Sequence, residues 1–425
     1  MHLRNATIYS IFVRNHGGTF RKVEEDLPRI HGLGADIIWL MPIHPIGKLH
    51  RKGTLGSPYA ILDDRAVNPE YGTMEDFEHL VQAIHDLGMK VIIDVVYNHT
   101  SPDSILSREH PEYFYHRPDG SFGNRVGDWT DIIDLDYSDP GLWDYRIGSL
   151  KYWARLVDGF RCDVAPLVPL DFWKAARREV EAVRPGCIWL AESVEHSFIR
   201  DLRRRGMICH SDGELYQAFD ILYDYDVYGD FRDYLDGKIT LEAYVSALER
   251  QEVIYPVDYV KLRFLENHDR PRMGELLKDT QLQRNWLSFM FFQKGTPLLY
   301  GGEEWGVRHL PGLFDADPVL PVVEKWPESP LSGLIRTLCR VKKEPLLSDG
   351  VYTLRPTDHD ILCVTWTLDA DMAVGIFSLK GSSGTVPAGL PDGTYENVLD
   401  GQPVEVRGGT AACCGDPVIL FHRSK

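Results

Sequence analysis

The chain of 425 residues has no run of about 18 consecutive apolar residues, so no membrane-spanning helix is expected. Its opening, MHLRNATIYSIFVRN, lacks a basic segment followed by an apolar one, so no secretory signal is expected either. Positive charge is scarce: 46 Lys and Arg stand against 63 Asp and Glu, for a net charge of −17. Nucleic acid and anionic membrane both require a basic surface, and neither is an expected partner. The seven cysteines (162, 187, 209, 339, 363, 413 and 414) are odd in number and scattered, with no CxxC or Cys/His spacing. That argues against a disulfide framework or a zinc site and for reduced thiols in a cytoplasmic protein. No HxxxH or HxH pair stands on a clear element, and the glycine clusters GGTF, GLGAD and GGEEWG miss both phosphate-binding patterns. Oligomeric state leaves no mark on the sequence.

What the chain does have is alternation. Short apolar runs are followed by longer amphipathic ones, the signature of βα units. The strand-like runs are IYSIFV, ADIIWLMP, KVIIDVVY, VDGFRCD, CIWLAES, AFDILYD, VKLRFLENHD and TPLLYGGEEWG. Helical spacing is clearest after Met74, where Phe77, Leu80, Val81 and Ile84 share one face. Eight units over roughly 340 residues predict an α/β fold, a (β/α)8 barrel over 1–344. The unit near AFDILYD is the least distinct.

Two insertions interrupt the barrel. Residues 100–139, after the third strand, are too long for a simple βα loop and predict a small inserted domain or lid. Residues 43–73, after the second strand, form another. From 345 to 425 short apolar runs alternate with Gly, Pro and Asp, which predicts a C-terminal antiparallel β-sandwich.

Acidic residues stand at the ends of several strand-like runs: Asp163 in GFRCD, Glu192 in IWLAE, Asp269 in LENHD and Asp94 in DVVYNH. In such barrels the chemistry lies at the C-terminal strand ends. Carboxylates gathered there suit glycoside cleavage, in which one attacks or stabilises and another donates a proton. Arg161 and Asp163 are two apart on one strand and point the same way. The guanidinium is expected to keep that carboxylate ionised, as in a nucleophile, although a structural ion pair has the same spacing. Glu192, at the rim of an apolar barrel, is expected to have a raised pKa, as a proton donor needs. Asn267, His268, Tyr97, Asn98 and His99 offer polar groups to sugar hydroxyls. Trp305, Tyr59, Trp129 and Phe122 are candidate stacking platforms, and any one of them could equally be packing.

These segments resemble the signature regions of the α-amylase superfamily, glycoside hydrolase family thirteen. The matching residues are Asp94 to His99, Gly159 to Asp163, the Glu192 segment and Glu266 to Asp269. The SPY around Tyr59, NPEYGT and TPLLYGGEE also look like the family. The resemblance implies that Asp163 is the nucleophile, Glu192 the acid and base, and Asp269 the transition-state stabiliser. Tyr59, Asp94, His99, Arg161, His268 and Trp305 would bind or position substrate, an α-glucan or malto-oligosaccharide. It implies a retaining hydrolase, with transglycosylation or α-1,6 or cyclodextrin cleavage as the alternative, and an inactive glycan-binding barrel as a reading of another class. Calcium is implied only weakly. Asn98 matches one ligand, and Asp131, Asp134 or Asp136 could supply others. Where many relatives carry Lys-His, however, this chain has Pro166 and Leu167, and no cofactor is expected to be required.

Overall fold

The structure, a computed structural model, describes residues 2–127, 129–317 and 329–424. Eight parallel strands close into a barrel. They are β1 (Ile8–Ile11), β2 (Ile37–Leu40), β3 (Lys90–Val95), β4 (Gly159–Cys162), β5 (Ile188–Ala191), β6 (Ile221–Tyr223), β7 (Lys261–Arg263) and β8 (Thr296–Tyr300). Each pairs with the next, and the ring closes where Ile8 of β1 lies opposite Leu298 of β8. The strands read as unbroken apolar runs because one face fills the barrel and the other packs on helices. Ile37, Ile38, Trp39 and Leu40 are all fully buried.

The helix after β2 runs Met74–Asp86 and buries the four residues that helical spacing selects. The hydroxyl of Thr73 accepts from the Asp76 amide, while the Asp76 carboxylate accepts from the Thr73 amide, so both ends of the capping box are made. The sixth unit differs from expectation. Its strand is three residues long, and a helix at Tyr225–Leu235 follows it that the sequence pattern does not reveal. Tyr, Asp and Gly are weak helix formers. Packing of Tyr225, Val227, Tyr228, Phe231 and Tyr234 holds the segment instead.

The insertion after β3 contains a helix at Ile105–Glu109 and a two-stranded ladder of His99–Thr100 with Ile133–Asp134. A small core of Leu106, Tyr113, Phe114, Ile133, Leu135 and Leu142 supports it. The insertion after β2 has no regular strand or helix, only a bridge between Ile46 and Ile61.

The C-terminal part forms two four-stranded antiparallel sheets. In the strand Ile361–Leu368 the alternation is divided between two cores. Leu362, Val364 and Trp366 join the barrel core, while Ile361 and Cys363 face the second sheet. The helix Thr280–Phe292 lies between the barrel and this sheet. The Trp366 indole donates to the Phe292 carbonyl at 2.8 Å, and the Trp286 indole to the Leu379 carbonyl at 3.1 Å. All seven cysteines are free thiols. Among the described residues no helix is long and apolar enough to cross a membrane.

Trp366 is fully buried at this seam. Trp366→Ala should cost about 3–5 kcal/mol, read as a lower midpoint of urea unfolding. An unchanged midpoint would mean that the sandwich contributes no stability to the barrel.

Candidate active site

A cavity of about 470 Å³ opens at the C-terminal ends of the strands. Asp163, Glu192 and Asp269 all line it, with Tyr59, His99 and Trp129. Asp163 follows the last residue of β4 and Glu192 the last residue of β5. The run expected as strand up to Asp269 ends earlier, at Arg263, so Asp269 stands on the loop beyond β7. That loop is shaped by Asn267, whose carboxamide oxygen accepts from the Asp269 amide at 2.9 Å.

Arg161 is the hub. It lies beside Asp94 in the register of β3 and β4, and both are fully buried. Its Nη1 donates to Asp94 Oδ1 and Asp163 Oδ1, each at 2.9 Å. Its Nη2 lies 2.9 Å from Glu192 Oε2, off the hydrogen-bond direction. The rings of Trp39, Tyr59 and Tyr223 surround the guanidinium at 5.3–5.7 Å. The Val164 amide donates to Glu192 Oε2 at 2.8 Å. Tyr59 stacks on His268 with ring centroids 5.6 Å apart, its hydroxyl 2.7 Å from Nε2 of that ring and 3.3 Å from Asp94. His268 Nε2 is also 3.1 Å from Asp269 Oδ2.

These surroundings separate the acids. Burial lifts Glu192 to about 7, with Arg161 opposing and Asp163 adding to the rise. Burial also lifts Asp163 above the usual carboxylate range, and Arg161 restrains the rise. The guanidinium expected to keep Asp163 ionised thus works against desolvation and is shared among three carboxylates. Asp269 differs. The protein around it disfavours its charge, but His268 prevails and holds it at about 2. Burial lowers His99 to about 4, so it is a neutral ring at neutral pH. Of the two acids in contact with Arg161 across the cleft, Asp163 has the directed hydrogen bond. Burial lifts Asp94 as well, with Arg161 opposing, so the carboxyls around this guanidinium share their protons.

Of the residues singled out from sequence, Tyr59, Asp94, His99, Arg161, Asp163, Glu192, His268 and Asp269 meet here, with Trp129 on the cavity wall. Trp305 does not. The segment Glu303–Trp305 turns into a 3₁₀ helix that puts its ring 4.4 Å from the Arg29 guanidinium, away from the cavity. Phe122 packs on Phe114 inside the insertion. Asn98 turns its amide toward His99 Nδ1 at 3.1 Å. Its proposed companions lie beside Lys52 and Arg125. Lys52 Nζ is 2.9 Å from Asp131, the Arg125 amide donates to Asp134 at 2.6 Å, and the Arg125 guanidinium is 3.7 Å from Asp136. Among the described residues no group of three or more His, Cys, Asp or Glu could hold a metal ion.

Several cavity residues escape sequence reading: Lys52, Phe198, Tyr225, Leu313 and Phe314. Arg270, paired with Glu195, had a signal, since it directly follows Asp269.

A closed parallel barrel with a buried acid pair and a third carboxylate at its C-terminal rim is the architecture of a glycoside-cleaving enzyme. Residues 5–122 and 126–316 match the family model for the α-amylase catalytic domain, and residues 353–420 the bacterial α-amylase C-terminal domain. The chain belongs to the α-amylase family. The crystal structure of an α-amylase from Lactobacillus plantarum is similar over 99% of this chain and 100% of its own, at 49% identity and a TM-score of 0.96. A noncanonic maltogenic α-amylase from Thermotoga neapolitana is similar over 100% of both chains, at 34% identity and a TM-score of 0.88. An α-1,4-glucan:maltose-1-phosphate maltosyltransferase of Mycobacterium tuberculosis is 36% identical over 215 residues, 44% of this chain but only 30% of that protein.

The raised Glu192 has a sign that stability can test. A carboxyl whose native pKa exceeds its unfolded value of about 4.3 stabilises the fold below that value. The contribution is lost as pH rises through about 7. Glu192→Gln should therefore raise Tm over the parent at about pH 8, with a smaller gain at about pH 5. A pH-independent difference would contradict the assignment.

Proposed function

We propose that the chain is a retaining α-glycosidase that hydrolyses α-glucosidic bonds in malto-oligosaccharides or related α-glucans. The supporting observation is the pair Asp163 and Glu192, each within 2.9 Å of Arg161 on adjacent nitrogens. Carboxylates gripped by one guanidinium are held close, and retention needs them about 5–5.5 Å apart. In the first step Asp163 attacks the anomeric carbon while Glu192 gives its proton to the leaving glycosidic oxygen. A covalent glycosyl-enzyme forms and the aglycone departs. In the second step Glu192, now ionised, takes a proton from water, which displaces Asp163 with the original configuration restored. Asp269 stays ionised beside the cationic transition state, and Tyr59 provides a ring face to the sugar.

The maltosyltransferase likeness favours a second reading, in which a sugar hydroxyl or phosphate replaces water in the second step. A purely binding role is disfavoured, because all three acids converge on one cavity. The free thiols and net charge of −17 support a cytoplasmic enzyme with neither nucleic acid nor membrane as partner. We further propose that it works without calcium, since Lys52 and Arg125 compensate the insertion's carboxylates.

Asp163→Asn should lower turnover of maltotriose on the order of 10⁴-fold or more, with an unchanged fold. Asp163→Gly with an α-glycosyl fluoride and azide should release the β-glycosyl azide, seen by NMR. Full activity of either variant without azide would remove the nucleophile assignment. A chelator should leave both Tm and the rate of maltotriose cleavage unchanged. A fall in Tm restored by added calcium would show a site that the ion pairs do not replace.

A further inference from the structure

The cavity is walled unevenly, and the wall has a direction. In the barrel order β5, which carries Glu192, lies across from β1. The loops after β2 and β8 flank β1, so they stand opposite the acid that meets the leaving group. They therefore bound the side occupied by the glycone.

Those two loops are sewn together. The amides of Leu55 and Gly56 donate to the Phe314 carbonyl at 2.9 and 3.1 Å. The amide and hydroxyl of Thr54 donate to Asp315 at 2.8 and 2.7 Å. Arg14 spans the seam, donating to the carbonyls of Gly56 at 3.1 Å and Leu313 at 2.9 Å. Gly53, at φ +62°, lies so close that a Cβ there would stand 2.6 Å from Phe314 Cβ. On its other flank the β2 loop is tied to the insertion by Lys52 and Asp131 at 2.9 Å. Lys52, Trp129, Leu313 and Phe314 all face the cavity.

We propose that this three-loop rim ends the cleft behind the sugar held by Tyr59 and Asp269, so that the enzyme takes the free non-reducing end of a short α-glucan. A groove open at both ends lets a chain pass through and be cut internally. A rim fixed by six hydrogen bonds and an ion pair does not. The space measures about 470 Å³, within the roughly 300–1,000 Å³ of pockets that hold small ligands. The inference rests on the proposed α-glucan cleavage.

The test uses 4-nitrophenyl maltoheptaoside, either free or carrying an ethylidene block at its non-reducing end. The free substrate should be cleaved and the blocked one slowed roughly a hundredfold, the scale of steric discrimination at a well-shaped site. Equal cleavage of both overturns the inference and leaves the proposed function standing. Cleavage of neither, nor of maltotriose, overturns the proposed function and the inference with it. Gly53→Val and the surface variant Asp315→Ala should both loosen the seam and bring the blocked-to-free ratio toward one. Folded variants with the parent's ratio would overturn the assignment to this rim.

Discussion

One buried guanidinium organises this molecule. Arg161 lies at the centre of an apolar barrel with no solvent contact, and a lone charge there would be strongly unfavourable. Three carboxylates compensate it, and that is more negative charge than it can neutralise. The excess has to be relieved by a proton. Asp163 holds a directed hydrogen bond to the guanidinium, whereas Glu192 only touches it. Burial lifts all three carboxyls against the pull of the guanidinium, Glu192 to about 7. Asp269 is kept out of the contest by His268, which gives it a separate partner and a separate, lower pKa.

The rest of the chain keeps that hub in place. Asp94 and Arg161 are register partners on adjacent strands, so their ion pair is fixed by backbone rather than by loops. The helix Thr280–Phe292 precedes β8 and is buried on all sides in its second half, with Trp286, Leu287, Phe289, Met290, Phe291 and Phe292 out of solvent. A barrel alone would leave its outer face in water. The C-terminal sheet covers it, with Asn285 accepting from the Ser378 amide and donating to the Gly415 carbonyl. The sandwich thus backs the strand pair whose loops carry Asp269 on one side and the rim on the other.

The barrel was readable because buried parallel strands must be continuous apolar runs and their partner helices must be amphipathic. Seven of the eight units show that pattern plainly. The sixth is faint because its helix is held by tyrosine packing rather than by propensity. The places of Asp163 and Glu192 at the cavity were readable because position at a strand end and residue type point the same way, whereas Asp269 stands on the loop beyond β7. Trp305 misled for a physical reason: Gly302 and Gly306 both take positive φ and turn the segment back on itself, so its ring meets Arg29. Lys52 and Phe314 were invisible because neither stands on a periodic element. Their meaning arises only when loops 261 residues apart join through Thr54 and Asp315.

Val164 shows how tightly Asp163 and Glu192 are tied together. It follows Asp163, yet its backbone is left-handed at φ +35°, a conformation β-branched residues avoid. Such strain costs on the order of 1–3 kcal/mol and persists only where neighbours over-determine it. Here they do. The Leu167 amide donates to the Val164 carbonyl at 3.0 Å, the Trp173 indole to the Ala165 carbonyl at 3.1 Å, and the His210 amide to the Pro166 carbonyl at 2.9 Å. The turn at Pro166 and Leu167 is thereby anchored to the protein. What the strain provides is aim. Reversing the chain right after Asp163 points the Val164 amide at Glu192 Oε2, so the backbone that carries Asp163 also orients Glu192.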